Sequence, residues 1–306
     1  LLFCLFAEDI DLLPRGLFTR MVDTGRRNPA HFNRQIVQLF HAMAEGDTFG
    51  EHSVPWINGG LFDDAATLDM DIDALAILHA ISGLDWSSIE PAILGTLFTR
   101  SLDPAKRAQL GAHYTSRDDI LLIVEPVLMA PLRRDWAQVQ QRAHELEQKR
   151  AAAPTRAVAT RTYNELETLV MDYAQRLQST RVLDPACGSG NFLYISLRQM
   201  MDLEKEVINF CGTMGLQPFF PAVSPLQLYG IEINDYAHEL AQATVWIGYI
   251  QWLHENGYGF PGEPILKRLD NIHQMDAILA YDADGKSVEP AWPEADVIVG
   301  NPPFLG

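Results

Sequence analysis

The sequence predicts an α/β protein in which a helical domain is followed by a mostly parallel sheet wound with helices. Residues 1 to 108 carry apolar side chains at helical spacing and no strong strand pattern. Beyond residue 180, short apolar runs alternate with amphipathic stretches, which is the rhythm of a parallel sheet. At the junction, Asp184-Pro185-Ala186-Cys187-Gly188-Ser189-Gly190-Asn191-Phe192 reads as a strand end, a Gly-x-Gly turn and a helix start.

In the first domain, Asn28-Pro29 forms a cap with proline at the first helical position. Phe32, Ile36, Leu39, Phe40 and Met43 recur on one helical face, and Gly46 closes the element. Asn58-Gly59-Gly60 is a turn signal. A second amphipathic stretch covers Leu75 to Ile81, and Asp85 is placed to cap a helix carrying Ile89, Ile93, Leu94, Leu97 and Phe98.

From Leu110 the texture changes. Gly111-Ala112-His113-Tyr114-Thr115-Ser116 reads as a loop and Asp118 to Leu128 as an apolar-rich helix. Residues 133 to 180, rich in charge, Ala and Gln and broken at Pro154, read as a helical insertion or hairpin. Val182-Leu183 is a brief strand, Leu228 to Ile233 a second, Asp235 to His254 a long helix, and Asp296 to Val299 another strand. A weaker strand precedes Asp276. The domain boundaries expected are therefore 1–108 and 109–306, with 133–180 inserted in the second.

With 306 residues, 47% of them hydrophobic, the chain buries an ample core and has room for two domains. No apolar run reaches membrane-spanning length, and Leu1 to Ala7 lacks the basic flank of a signal peptide, so the reading is soluble and cytoplasmic. Cys4, Cys187 and Cys211 have no paired spacing, which argues against both a disulfide framework and a zinc site; no metal is expected. A net charge of −17 is unlike a protein that grips duplex DNA alone. The chain starts without Met and stops just past a motif, so a fragment is expected.

A Gly-x-Gly turn alone is weak evidence, since glycines often serve only a tight turn. Glu232, in Gly230-Ile231-Glu232-Ile233-Asn234, stands at a strand's carboxyl end, where a nucleotide-binding sheet places an acid to hold two ribose hydroxyls. A nicotinamide enzyme uses an acid there as well, and a solvated strand-end acid is the plain alternative. Asp276 could accept from an adenine amino group; a surface loop acid fits its position nearly as well. Cys187 lies inside the Gly turn, where a small apolar filler suffices, so it is not read as a nucleophile. Glu147-x-Lys149 has the spacing of a nuclease strand but sits in a helical run, which makes it a solvated helix face.

Asn301-Pro302-Pro303-Phe304 follows the apolar run Val297-Ile298-Val299 and is the strongest signal in the chain. Two prolines after a buried strand remove two backbone donors and leave carbonyl acceptors facing outward. Those acceptors suit the two N–H donors of an exocyclic amine, and Phe304 offers a flat face to the ring that carries it. Chemistry on a base in this position requires flipping it from the stack.

These motifs, in this order, resemble the S-adenosylmethionine-dependent N6-adenine DNA methyltransferases of the gamma arrangement. Gly111-Ala112-His113-Tyr114-Thr115 matches that family's Gly-x-x-Tyr-Thr segment, ahead of the Gly turn and the tetrad. Trp56-Ile57-Asn58-Gly59-Gly60-Leu61-Phe62 and Leu102-Asp103-Pro104-Ala105-Lys106-Arg107 look more specifically like the MmeI-like group. Those are single-chain restriction-modification or phage-defence enzymes with a helical spacer. The resemblance implies a partial Rossmann-like class I methyltransferase domain behind that spacer, S-adenosylmethionine as cofactor and double-stranded DNA as partner.

Carried over by residue, the resemblance puts Tyr114 and Thr115 beside the methionine end of the cofactor, with Asp184, Ala186, Gly188 and Gly190 lining it. Glu232 would hold the ribose and Asp276 the adenine amine. Asn301 and the Pro302 carbonyl would hold the target amine, Pro303 would fix the turn, and Phe304 would stack on the flipped base. The family's sheet continues past the tetrad and is followed by a recognition domain. A chain ending here is therefore expected to be inactive alone, to reach DNA through regions it lacks, and to self-associate through an uncovered sheet edge. The alternatives are a methyltransferase acting on another planar amine, such as a protein glutamine amide or an RNA base, and a silent assembly module.

Overall fold

The computed structural model describes residues 1–57, 62, 66–93, 115–260, 262 and 265–302. The Asn58-Gly59-Gly60 turn, the 102–107 segment, Tyr114, Pro303 and Phe304 lie outside the described residues. Leu1–Ile93 and Trp246–Asp270 make one compact unit, and Leu94–Val245 with Asn271–Gly306 make another.

The first unit begins with α1 (Leu2–Asp9), α2 (Leu17–Gly25) and α3 (Pro29–Glu45). Asn28 caps α3 by accepting the His31 N–H at 3.2 Å, with Pro29 at the first position, and Gly46 ends it in the left-handed region at φ 71°. A side chain at Gly46 would meet Trp56 Cβ at 2.6 Å, so glycine is required there on two counts. Phe6, Phe18, Phe32, Ile36, Leu39 and Met43 are buried and make the core that the apolar stripe predicts. Two two-residue strands, β1 (Thr48–Phe49) and β2 (His52–Ser53), form a hairpin where no strand was expected. Strands that short are below the length at which alternation registers in sequence.

Helix α4 (Ile72–Ser82) is capped by Asp71, which accepts the Ala74 N–H at 2.8 Å. The helix expected from Asp85 does not begin there: residues 85–92 are turns and irregular backbone, Ile93 is helical, Leu94, Leu97 and Phe98 lie outside the described residues, and Asp85 accepts the Ser87 N–H and hydroxyl. Pro91 supplies the reason, because it biases Glu90 away from helical backbone. The segment Trp246–Asp270 belongs to this unit: Gln251 donates to the Ser87 and Ile89 carbonyls, and Ile265 and Leu266 donate to Trp56 and Ile57.

In the second unit, α5 (Arg117–Val124) starts at Ser116, whose hydroxyl accepts the Asp119 N–H. It does not stop near Leu128 but runs through a π-turn, Glu125–Met129, into α6 (Ala130–Ala151). Pro126 lacks the N–H that an α-turn needs, and the wider turn absorbs the gap. Thr155 caps α7 (Arg156–Ser179), which returns along α6 as the expected hairpin. Trp136 fastens the pair, stacking on Tyr173 at 4.9 Å and meeting the edge of Phe210 at 5.1 Å.

The sheet follows: β3 (Val182–Asp184), α8 (Asn191–Thr213), β4 (Leu228–Glu232), α9 (Asp235–Glu255), β5 (Ile272–Gln274), a small β6–β7 hairpin (Ala280–Tyr281, Ser287–Val288) and β8 (Val297–Ile298). Its order is β5-β4-β3-β8, with every neighbouring pair parallel. The chain steps from β3 to one side for β4 and β5 and to the other for β8. This makes the carboxyl end of β3 the switch point at which such sheets bind ligands. Buried Glu204 of α8 accepts from Gln178, Ala222 and Val223, tying the crossover into β4 against α8.

β8 was expected to be buried, yet Ile298 is 54% exposed while Val299 is 2% exposed. It is the last strand of the sheet among the described residues, and Ile298 lies on the face of its pleat that these residues leave uncovered. Among the described residues no helix is long and apolar enough to cross a membrane, and no group of three potential metal ligands occurs.

Candidate active site

Parallel pairing of β3 with β4 and β8 brings three segments to one sheet end: the Gly turn after Asp184, Glu232, and the Gly300-Asn301-Pro302 exit from β8. Val299 N–H donates to Leu183 O at 2.9 Å, so the exit from β8 runs directly beside the end of β3. The Gly turn is built from its own backbone. Cys187 N–H reaches Ile231 O at 3.0 Å, and Gly190 N–H reaches Cys187 O at 2.8 Å.

Gly188 and Gly190 both sit at positive φ, 54° and 82°. They do different work. A side chain at Gly190 would strike the Ala241 backbone at 3.0 Å, so this glycine permits close packing of α8's start on α9. A side chain at Gly188 would meet nothing within 4 Å. That open space lets a ligand approach the backbone.

Glu232 is half-buried and fixes the turn to the next strand: Oε2 accepts the Gly188 N–H at 2.9 Å and Oε1 the Asn234 N–H at 2.7 Å. Asp184, which the resemblance places in the cofactor lining, lies beneath the turn. It is only 1% exposed, and its Oδ1 accepts the Ala186 N–H at 3.0 Å, so its carboxyl holds the turn from beneath. Burial pushes this carboxyl up to about 7, with the Glu232 charge adding to the effect and the Ala186 hydrogen bond opposing it.

Asp276 follows β5, where Met275 N–H donates to Glu232 O. Its Oδ1 accepts the Ile278 and Leu279 N–H groups at 2.8 and 3.1 Å, an Asx-type turn that shapes the loop at the edge of the site. Asn301 and Pro302 are exposed, and Asn301 Nδ2 lies 3.4 Å from Thr115 Oγ1. Cys187 is buried, and burial, then the Asp184 and Glu232 charges, hold its thiol well above the usual range. A protonated, enclosed sulfur is a poor nucleophile, which agrees with reading it as filler.

Two residues of this region escaped the sequence reading. Asn191 opens α8, and its buried Oδ1 has no hydrogen-bond partner, leaving an acceptor immediately after the turn. Gly300 precedes Asn301, and a side chain there would lie 2.5 Å from Asp184 Oδ1. The only sequence signal for Gly300 is a glycine adjoining the tetrad, which by itself does not name what approaches it.

The MmeI DNA-methyltransferase domain matches residues 158–306, and the MmeI helicase spacer domain matches residues 1–62. DNA methyltransferase A of Bacillus subtilis (strain 168) is 29% identical over 318 residues, covering 100% of this chain and 33% of that protein. A putative type II restriction enzyme and methyltransferase of Methanocaldococcus jannaschii is 23% identical over 292 residues, covering 82% of this chain and 24% of its own length. A solved structure of the type IIL restriction-modification enzyme MmeI in complex with DNA is similar at a TM-score of 0.71 and 27% identity, over 90% of this chain and 36% of that one. The chain thus spans about a third of the length of its first relatives. With the spacer matched at its start, the methyltransferase domain over its second half and the MmeI fold over nearly all of it, the chain belongs to the MmeI-like methyltransferases.

Proposed function

We propose that this chain is part of a site-specific DNA methyltransferase of a restriction-modification or phage-defence system, acting on the N6 amine of adenine in the cytoplasm. One observation carries the reading: Asn301, an amide beside a proline carbonyl, stands at the same sheet end as the glycine turn, with Thr115 against it. The family membership and the names of the relatives support it.

The residues fit S-adenosylmethionine. Gly188 leaves open space over the turn, Asn191 offers an unused buried acceptor, and Glu232 supplies a carboxylate for a ribose diol at the switch point. Ala186 and Gly190 complete the turn and Thr115 stands just before α5, while the resemblance assigns Tyr114 with Thr115 to the methionine end of the cofactor and Asp276 to its adenine end. This cofactor, when bound, supplies a sulfonium methyl group open to displacement by a nitrogen lone pair. The protein's part is to prepare that nitrogen. Asn301 Oδ1 and the Pro302 carbonyl accept the two N–H groups of the base amine, which draws its lone pair out of conjugation with the ring. The resemblance assigns Pro303 to fixing the turn and Phe304 to stacking on the flipped base. The nitrogen would gain one carbon bond as the methyl group's bond to sulfur breaks, that electron pair staying with sulfur, and would release one proton to solvent.

A net charge of −17 leaves the basic surface for duplex DNA to the parts of the longer relatives that this chain does not span. The test is transfer of radiolabelled methyl to duplex DNA by the full-length protein, followed by nucleoside analysis. Label in N6-methyladenine supports the reading; label in protein, in RNA or in 5-methylcytosine overturns it.

A further inference from the structure

Gly300 and Asp184 meet where β8 and β3 end side by side. A Cβ on Gly300 would fall 2.5 Å from Asp184 Oδ1 and 3.1 Å from its Cγ. The obstacle cannot swing aside freely. The same Oδ1 accepts the Ala186 N–H at 3.0 Å, and the residue is 1% exposed. One carboxyl oxygen thus accepts from the first turn of the glycine loop on one side and occupies, on the other, the space that a side chain just before Asn301 would need.

We infer that Asp184 and Gly300 form a positioning contact that sets Asn301 and the Pro302 carbonyl at a fixed distance from the glycine turn. Neither residue is placed on the reacting atoms. Asp184 acts through Ala186 and Gly300, and Gly300 acts by having no side chain. The consequence is geometric: the amine-holding acceptors and the cofactor turn are registered to each other through a single buried oxygen, in addition to the strand pairing beneath. A side chain at 300 must push the tetrad outward, and a displacement of about 1 Å at a reacting centre costs on the order of a hundredfold in rate.

This inference rests on the amine-binding role proposed for Asn301. A double-mutant cycle in the full-length protein tests it, with Gly300→Ala, Asp184→Ala and the pair. Methyl transfer to duplex DNA gives kcat and KM, calorimetry gives the affinity for S-adenosylmethionine, and circular dichroism reports folding. Gly300→Ala alone is expected to lower kcat about a hundredfold with cofactor affinity retained. In the Asp184→Ala background the same change is expected to cost no more than about threefold, since the obstacle is gone. Equal losses in both backgrounds, or a loss in cofactor affinity with kcat intact, overturn the contact as a positioning device. If Gly300→Ala does not fold, recovery of folding and of Asp184→Ala activity in the double variant supports the inference, and failure to recover overturns it. A wild-type protein with no methyl transfer to DNA overturns the proposed function and this inference with it, whereas additive losses in an active protein overturn this inference alone.

Discussion

The side-chain nitrogen of Asn301 donates to Thr115 Oγ1 across 3.4 Å, joining residues 186 positions apart in the chain. An amide has one nitrogen and one oxygen to offer, so engaging the nitrogen orients Oδ1 for the amine-holding role proposed for it. Thr115 therefore contacts the tetrad, in addition to the cofactor-side role proposed for it. Thr115→Val keeps the shape and removes the hydroxyl. A neutral hydrogen bond contributes roughly 0.5–1.5 kcal/mol, so kcat should fall by up to about tenfold, more than cofactor affinity changes. Asn301→Ala should abolish most transfer while S-adenosylmethionine still binds. Steady-state kinetics beside calorimetric titration decides, and a Thr115 variant altered only in cofactor affinity would assign that residue to the cofactor alone.

Glu232 holds two backbone N–H groups, Gly188 at 2.9 Å and Asn234 at 2.7 Å, and is proposed to share its charge with a ribose diol. Glu232→Ala removes charge-assisted hydrogen bonds worth roughly 1.5–3 kcal/mol each, so affinity for S-adenosylmethionine should drop by about one to two decades. Glu232→Gln retains one acceptor oxygen and should lose less. Calorimetric titration of folded variants checks the order, and unchanged affinity in Glu232→Ala removes the residue from the cofactor site.

Much of this arrangement could be read from sequence because it is local. Asn28-Pro29 and Gly46 delimit α3 by capping chemistry that depends on a few adjacent residues. The four sheet strands and the long helix were found from apolar runs and from the glycine turn between them. What was not legible is what depends on partners distant in the chain. Nothing near Ile298 tells that one face of its strand is uncovered, because the expected cover is a property of the sheet's order. Asp184 reads as a cofactor residue from its motif, and its burial against Gly300 appears only when β3 and β8 are adjacent. The sequence reading ends this helix at Leu128, whereas the packed α5–α6 pair runs on through a π-turn at Pro126.

The buried Asp184 gives stability a definite pH dependence. Its carboxyl titrates at about 7 in the folded protein, against an ordinary value of 3.8, chiefly because burial disfavours the charged form. Between those values the unfolded chain loses the proton first while the folded state keeps it, so stability falls as pH rises. The contribution is complete below the ordinary value and lost above about 7. Glu8 and Glu204 are also raised by burial and act with the same sign, so the whole-protein slope does not isolate this group. The difference between Asp184→Asn and wild type does. That variant, which cannot ionise, should melt higher relative to wild type at about pH 8 than at about pH 4. Scanning calorimetry across this interval tests it, and a difference constant with pH would contradict the buried, protonated carboxyl.

The uncovered side of β8 predicts behaviour of the chain taken alone. Ile298 is 54% exposed on the last strand of the sheet among the described residues, with β3 paired to its other side. An apolar edge strand offers hydrogen-bonding groups and apolar surface together, the combination that natural sheets suppress with lysine or proline. The 306-residue chain should therefore self-associate increasingly with concentration, through that edge. Ile298→Lys places a charge on the exposed face without touching Val299, Gly300 or the turn, so it should reduce association while leaving the fold and S-adenosylmethionine affinity intact. Light scattering over a concentration series, with calorimetry on the same samples, measures both. A wild-type chain that stays monomeric at the highest concentration, or an Ile298→Lys chain that associates as strongly as wild type, would place the sticky surface elsewhere.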